Sequence, residues 1–90
     1  MVTRRCVVEG RVQGVGFRWF VVRSARELGV RGSVRNALDG SVEAILQADE
    51  ESALEAMIER LRRGPTGARV VAVDCETVEE GPLGEMRVIS

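Results

Sequence analysis

The spacing of hydrophobic positions changes several times along this chain, and each change marks an element. In RRCVVEG, Arg4 to Gly10, Cys6 and Val8 fall on one side and Arg5, Val7 and Glu9 on the other. That two-residue repeat predicts a strand with one buried face. From Phe17 to Leu28 the period lengthens. Phe17, Val21, Val22, Ala25 and Leu28 recur at helical spacing, while Arg18, Arg23, Arg26 and Glu27 fall mostly outside the stripe. Gly29 follows as a C-cap. Alternation returns in VRGSVRN and GSVEAILQAD, joined by ALDG; an Asp-Gly between such runs predicts a hairpin. Asp49 is placed to cap a second helix with Leu54, Met57, Ile58 and Leu61 as its apolar stripe, ended by Gly64-Pro65. ARVVAVDCETVE predicts a further strand, read as alternating through Val71, Val73 and Cys75, and MRVIS a short last one after the turn GPLGE.

The order strand, helix, strand, strand, helix, strand, with a possible short fifth strand, is that of a split βαβ, ferredoxin-like α+β sandwich. Such a fold has an antiparallel sheet with both helices on one face and the other face more open. No internal repeat, linker or low-complexity segment divides the chain, and residues 1–90 are read as a single domain.

Composition narrows the chemistry. Apolar residues make up 44% and charged residues 30%, the balance of a soluble globular protein. A net charge of −1 gives the chain no general attraction to nucleic acid or to an anionic membrane. No apolar run of eighteen residues and no basic leader segment occur, so the expected location is the cytoplasm. Histidine is absent, which removes the commonest general base and the commonest metal ligand. Two cysteines, Cys6 and Cys75, lack metal-ligand spacing; they are expected as small buried apolar side chains, with a conditional disulfide as the alternative.

The stretch EGRVQGVGFRWF, Glu9 to Phe20, carries the clearest candidate chemistry. Gly10, Gly14 and Gly16 lead from the first strand into the first helix, where unsatisfied N–H groups and the positive end of the helix dipole favour an anion. Arg18 sits in the first helical turn against the usual acidic preference, and its planar fork suits a phosphate. The spacing is neither a Walker A loop nor a dinucleotide fingerprint, so a purely structural tight loop remains the competing reading. Asn36, the only asparagine, ends the second strand at the same edge of the sheet. Its amide can accept a hydrogen bond from a water and donate one to a phosphate. The alternative is an ordinary turn residue bonding its own backbone.

With these residues in view, the chain resembles the acylphosphatase family. GRVQGVGFR, VRN and DGSVE carry the resemblance, supported by ELGVRG before the asparagine strand and by Gly64-Pro65 after the second helix. It extends from about Arg5 to the last strand. The resemblance implies a ferredoxin-like sandwich that hydrolyses acyl phosphates to a carboxylate and inorganic phosphate, without a metal or organic cofactor. It implies that Arg18 binds the phosphate, that Asn36 positions the attacking water, and that Gln13, Gly14, Val15, Gly16 and Phe17 form the loop whose backbone amides hold the phosphate. The expected partner is a small-molecule acyl phosphate, with no nucleic acid or membrane, and the expected state is a monomer.

Two departures from the family pattern stand out, one at Ser33 and one in the last strand. Ser33 replaces a frequent bulky aromatic before VRN, which is expected to loosen the substrate wall. Trp19 follows the arginine; it is expected in the core, with pocket cover as the alternative. Met86 and Ile89 stand where the last strand often carries aromatics. Glu9, Glu43 and Asp39 are expected on solvated faces, and ERLRRG as the exposed end of the second helix. A non-catalytic module binding phosphate or carbamoyl phosphate on the same fold is the alternative function. An RNA-binding module is disfavoured by three aromatics in all and by the slightly acidic charge.

Overall fold

The computed structural model describes all of residues 1–90. Its elements are β1 (Val2–Arg11), α1 (Phe17–Leu28), β2 (Arg31–Asn36), β3 (Val42–Ala48), α2 (Glu51–Arg63), β4 (Arg69–Thr77) and β5 (Arg87–Val88). The sheet order is β4-β1-β3-β2-β5. β1 and β2 both pair antiparallel with β3, and β4 pairs antiparallel with β1. β5 adds parallel to β2, so the fifth strand makes an otherwise antiparallel sheet mixed. No helix is long and apolar enough to cross a membrane.

The apolar stripes drive the packing. Phe17, Val21, Val22 and Ala25 of α1 and Leu54, Met57, Ile58 and Leu61 of α2 bury against Cys6 and Val8 of β1, Val34 of β2 and Val42, Ala44 and Leu46 of β3. Met86, just before β5, closes the core beside α1 and β2. α1 ends at Gly29, whose φ of 72° is left-handed and whose N–H donates to the Ala25 carbonyl. α2 begins differently from expectation. Its N-cap residue is Glu50, with no side-chain cap, and Asp49 instead pairs with Arg31 at 3.2 Å. The helix starts one residue later than an Asp49 cap requires, at Glu51, so the Asp49 carboxylate lies outside the cap position.

β4 forms as a strand, with Val73 and Cys75 in the expected phase and Val71 out of it. A bulge between Glu9 and Gly10 shifts its register against β1, so that Gly10 pairs with Val70 and Glu9 with Ala72. The extra residue, Val71, is 75% exposed, while Val70 and Val73 pack against the core. Gly10 is required there, because a Cβ would lie 2.1 Å from the Arg69 carbonyl oxygen. Cys6 and Cys75 are register partners and are joined by a disulfide across 69 positions of sequence, which replaces the expected pair of free thiols. Cys6 is buried, whereas Cys75 is exposed on the edge strand.

The face away from the helices is partly covered as well. The segment from β4 to β5 crosses it, and Gln47 fastens it there. Gln47 donates to Thr3 Oγ1 and the Gly81 carbonyl, both at 2.9 Å, and accepts from the Leu83 N–H at 2.8 Å. Beside it, Glu43 is held by Arg5 at 2.7 Å and Arg35 at 2.9 Å. Its side chain is only 14% exposed, so Glu43 is not the solvated carboxylate expected.

Candidate active site

β1 and β2 run in the same direction on either side of β3, which brings the end of β1 and the end of β2 to one edge of the sheet. Val12 to Gly16 then lead into α1. Gly14 and Gly16 adopt left-handed φ values of 75° and 78°, and a Cβ at either would meet nothing within 4 Å. These glycines serve conformation rather than close packing; a side chain there would cost roughly 1–2 kcal/mol per residue. The N–H groups of Gln13, Gly14, Val15 and Gly16 find no acceptor within the protein. α1 opens with no side-chain cap and no acidic residue in its first turn. The loop therefore presents donors and positive potential without an internal partner.

A cavity of about 280 Å³ opens at this point. The polar part of its lining is Gly14, Gly16, Arg18 and Asn36; the apolar part is Val12, Phe17, Trp19 and Val88. Arg18 is partly exposed and, unlike Arg4, Arg5, Arg26, Arg31, Arg35, Arg60 and Arg62, forms no ion pair. Asn36 is fixed from its backbone: its N–H donates to the Ser90 carbonyl at 3.0 Å, continuing the parallel pairing of β5. Its Oδ1 is buried and has no hydrogen-bond partner in the protein. Leaving a buried acceptor unpaired in this way costs about 1–3 kcal/mol.

The sequence-predicted residues divide into two groups. Gly14, Gly16, Phe17, Arg18 and Asn36 line the cavity. Phe17 is also a core residue, packed on Phe20 with ring centroids 5.9 Å apart. Val15 packs against the core instead. Gln13 turns its side chain away to the β2–β3 hairpin, where Nε2 donates to the Ala37 carbonyl at 2.8 Å and the Ser41 carbonyl at 2.9 Å. The hairpin is itself held by Asp39, whose carboxylate accepts from the Ser41 hydroxyl at 2.6 Å and from its N–H at 3.0 Å. Those bonds, the hydroxyl first, hold the Asp39 carboxyl below its ordinary value. Gln13 thus ties the glycine loop to the turn that follows Asn36, a role its position in the sequence did not reveal. The signal was present only as an amide beside the glycines.

Two other expectations change. Trp19 is not in the core: it is 62% exposed at the cavity. The helical phase explains this, because Trp19 falls between the buried positions Phe17 and Val21. Ser33 does not belong to the cavity wall. It pairs with Ile45 on the face away from the helices and lines a separate groove with Leu83 and Arg87.

The fold and the site together define a ferredoxin-like α/β sandwich with a glycine loop of unpaired N–H groups between its first strand and first helix. The acylphosphatase family model matches residues 4–84. An acylphosphatase of Deinococcus radiodurans is 50% identical over 82 residues, covering 91% of this chain and 93% of the relative. The crystal structure of acylphosphatase from Bacillus subtilis superimposes with a TM-score of 0.95 at 31% identity, over the full length of both chains. The chain is also similar to part of a full-length HypF solved in a phosphate- and nucleotide-bound form: TM-score 0.90, 26% identity, 99% of this chain and 12% of that one. This chain belongs to the acylphosphatase family.

Proposed function

We propose that this protein hydrolyses the carboxyl–phosphate bond of acyl phosphates, with Arg18 and the loop amides holding the phosphoryl group and Asn36 orienting the attacking water. Family membership supports the reaction. The observation that carries the division of roles is the pairing, in one cavity, of an arginine without an ion pair and an asparagine whose buried Oδ1 lacks a partner.

The chemistry asks little more. The leaving group is a carboxylate of low pKa, which departs without a proton, so no general acid is required. In the loose transition state, charge spreads over the equatorial phosphoryl oxygens. Arg18 and the unpaired N–H groups from Gln13 to Gly16 can meet that charge without reorganising. Asn36 Oδ1 accepts a hydrogen bond from the water and so fixes its direction of approach. The water's proton passes to a phosphate oxygen. No cofactor takes part in this route.

The chain is read as one domain over residues 1–90, acting as a monomer on small molecules in the cytoplasm and not on nucleic acid. Reductants there would keep Cys6 and Cys75 as thiols. The bridge joins the middle of β1 to β4, away from the loop, so the reaction does not depend on it.

The test is steady-state hydrolysis of benzoyl phosphate in the presence of EDTA, comparing wild type, Arg18→Ala and Asn36→Ala, with circular dichroism to check folding. Each variant should lose on the order of 10²-fold or more in kcat, and EDTA should leave the wild type unaffected. A folded wild type without activity would refute the proposal and leave the non-catalytic phosphate- or carbamoyl-phosphate-binding module.

A further inference from the structure

We propose that Trp19 and Val88 form an acyl-group subsite, which directs this chain toward acyl phosphates carrying an aromatic or bulky apolar acyl group. The inference rests on the hydrolase reading above and deepens it. Three observations carry it. Trp19, the only tryptophan, is 62% exposed, and Val88 is also exposed; both line the same cavity as Arg18 and Asn36. Ligand cavities are lined mainly by apolar side chains around a few polar groups, and this lining has that character. Val12 and Phe17, both buried, continue the apolar lining.

The second observation is how the polar groups are used. Arg18 and Asn36 are the only polar side chains lining the cavity. Both are committed to the phosphoryl group and the water, so no second cation remains to receive another phosphate or a carboxylate on the acyl side. The third is the character of the ring. Trp19 offers a large flat face at low conformational cost, which suits stacking against an aromatic acyl group and gives acetyl little to cover.

Binding of this kind is largely uniform between ground and transition state, so it appears chiefly in KM. The experiment measures kcat and KM for benzoyl phosphate and acetyl phosphate with wild type, Trp19→Ala, Trp19→Phe and Val88→Ser. Wild type should favour benzoyl phosphate in kcat/KM by on the order of 10-fold or more, the range apolar pockets achieve. In Trp19→Ala that preference should fall about tenfold, mostly through KM for benzoyl phosphate. Trp19→Phe should restore most of it, and Val88→Ser should lower it in the same direction. Equal losses on both substrates, or an unchanged preference in both Trp19→Ala and Val88→Ser, would overturn the inference while leaving the hydrolase reading intact. A folded wild type inert toward both substrates would overturn the two together. Val88 stands on a separate element from Trp19, so misfolding of one variant leaves the other to decide.

Discussion

The Cys6–Cys75 bridge gives a stability prediction whose size follows from its place in the chain. The perturbation is Cys75→Ala. Cys75 is exposed, so its own side chain contributes little packing, and Cys6 left behind is a small thiol in an apolar setting that suits it. The loss is therefore mainly the cross-link. It closes 69 positions of sequence, for which loop-closure entropy gives a ceiling of about 4 kcal/mol and common experience 2–4. A domain of this length shifts by roughly 4–8 °C per kcal/mol. Thermal melts followed by circular dichroism should place Cys75→Ala on the order of 10–25 °C below oxidised wild type. Wild type in excess reductant should melt close to the variant. Benzoyl phosphate kinetics should be the same for all three at 25 °C, because the bridge and the cavity share no residue. Oxidised wild type and Cys75→Ala melting within about 3 °C of each other would refute the entropic argument. Alkylation of both thiols in denatured, unreduced protein would show that the bridge does not form.

Further predictions follow from the loop and from the open face of the sheet. Gln13→Ala removes two hydrogen bonds at part-buried positions, which should cost about 1–3 kcal/mol in a urea titration. It should also lower kcat by roughly tenfold through misplacement of the loop relative to Asn36; unchanged kcat would mean that the loop holds its shape alone. The Glu43 carboxyl is held below its ordinary value of 4.5, first by its hydrogen bond to Arg35 and then, against partial burial, by Arg5. A depressed folded value means that its stabilisation is complete above pH 4.5 and is lost as the pH falls through the lower folded value. Denaturant midpoints of wild type should therefore drop more steeply below about pH 4.5 than those of Glu43→Gln. Parallel curves would remove Glu43 from the acid-stability argument.

Much of this structure was legible in the chain, and the exceptions share a cause. The bounds of α1 follow from local signals, the glycine loop before it and Gly29 after it. The buried stripes of both helices follow from period alone. The packing of Val70 in place of Val71 did not, because it depends on a bulge where Gly10 approaches Arg69 in a distant part of the chain. The cysteine pairing likewise needs the knowledge that β4 lies beside β1. Asp49 carried a helix-cap signal, but α2 starts one residue further on and Asp49 faces Arg31 of a distant strand instead. Glu43 read as a surface carboxylate until the sheet set two arginines against it. At the site, Arg18 and Asn36 were visible as residue types out of place: a cation at a helix start, and one asparagine before a turn. The exposure of Trp19 was not legible, because an aromatic beside an apolar stripe usually joins it. Here it falls between two buried positions and faces the cavity instead.

The position of that ring has a spectroscopic consequence. The chain contains one tryptophan and no tyrosine, so nearly all of its fluorescence excited at long ultraviolet wavelengths arises from a single half-solvated indole at the mouth of the cavity. An intensity or wavelength change on adding a ligand would report events at that cavity alone, without a label. The same indole would follow the cooperative unfolding of the domain from the start of α1.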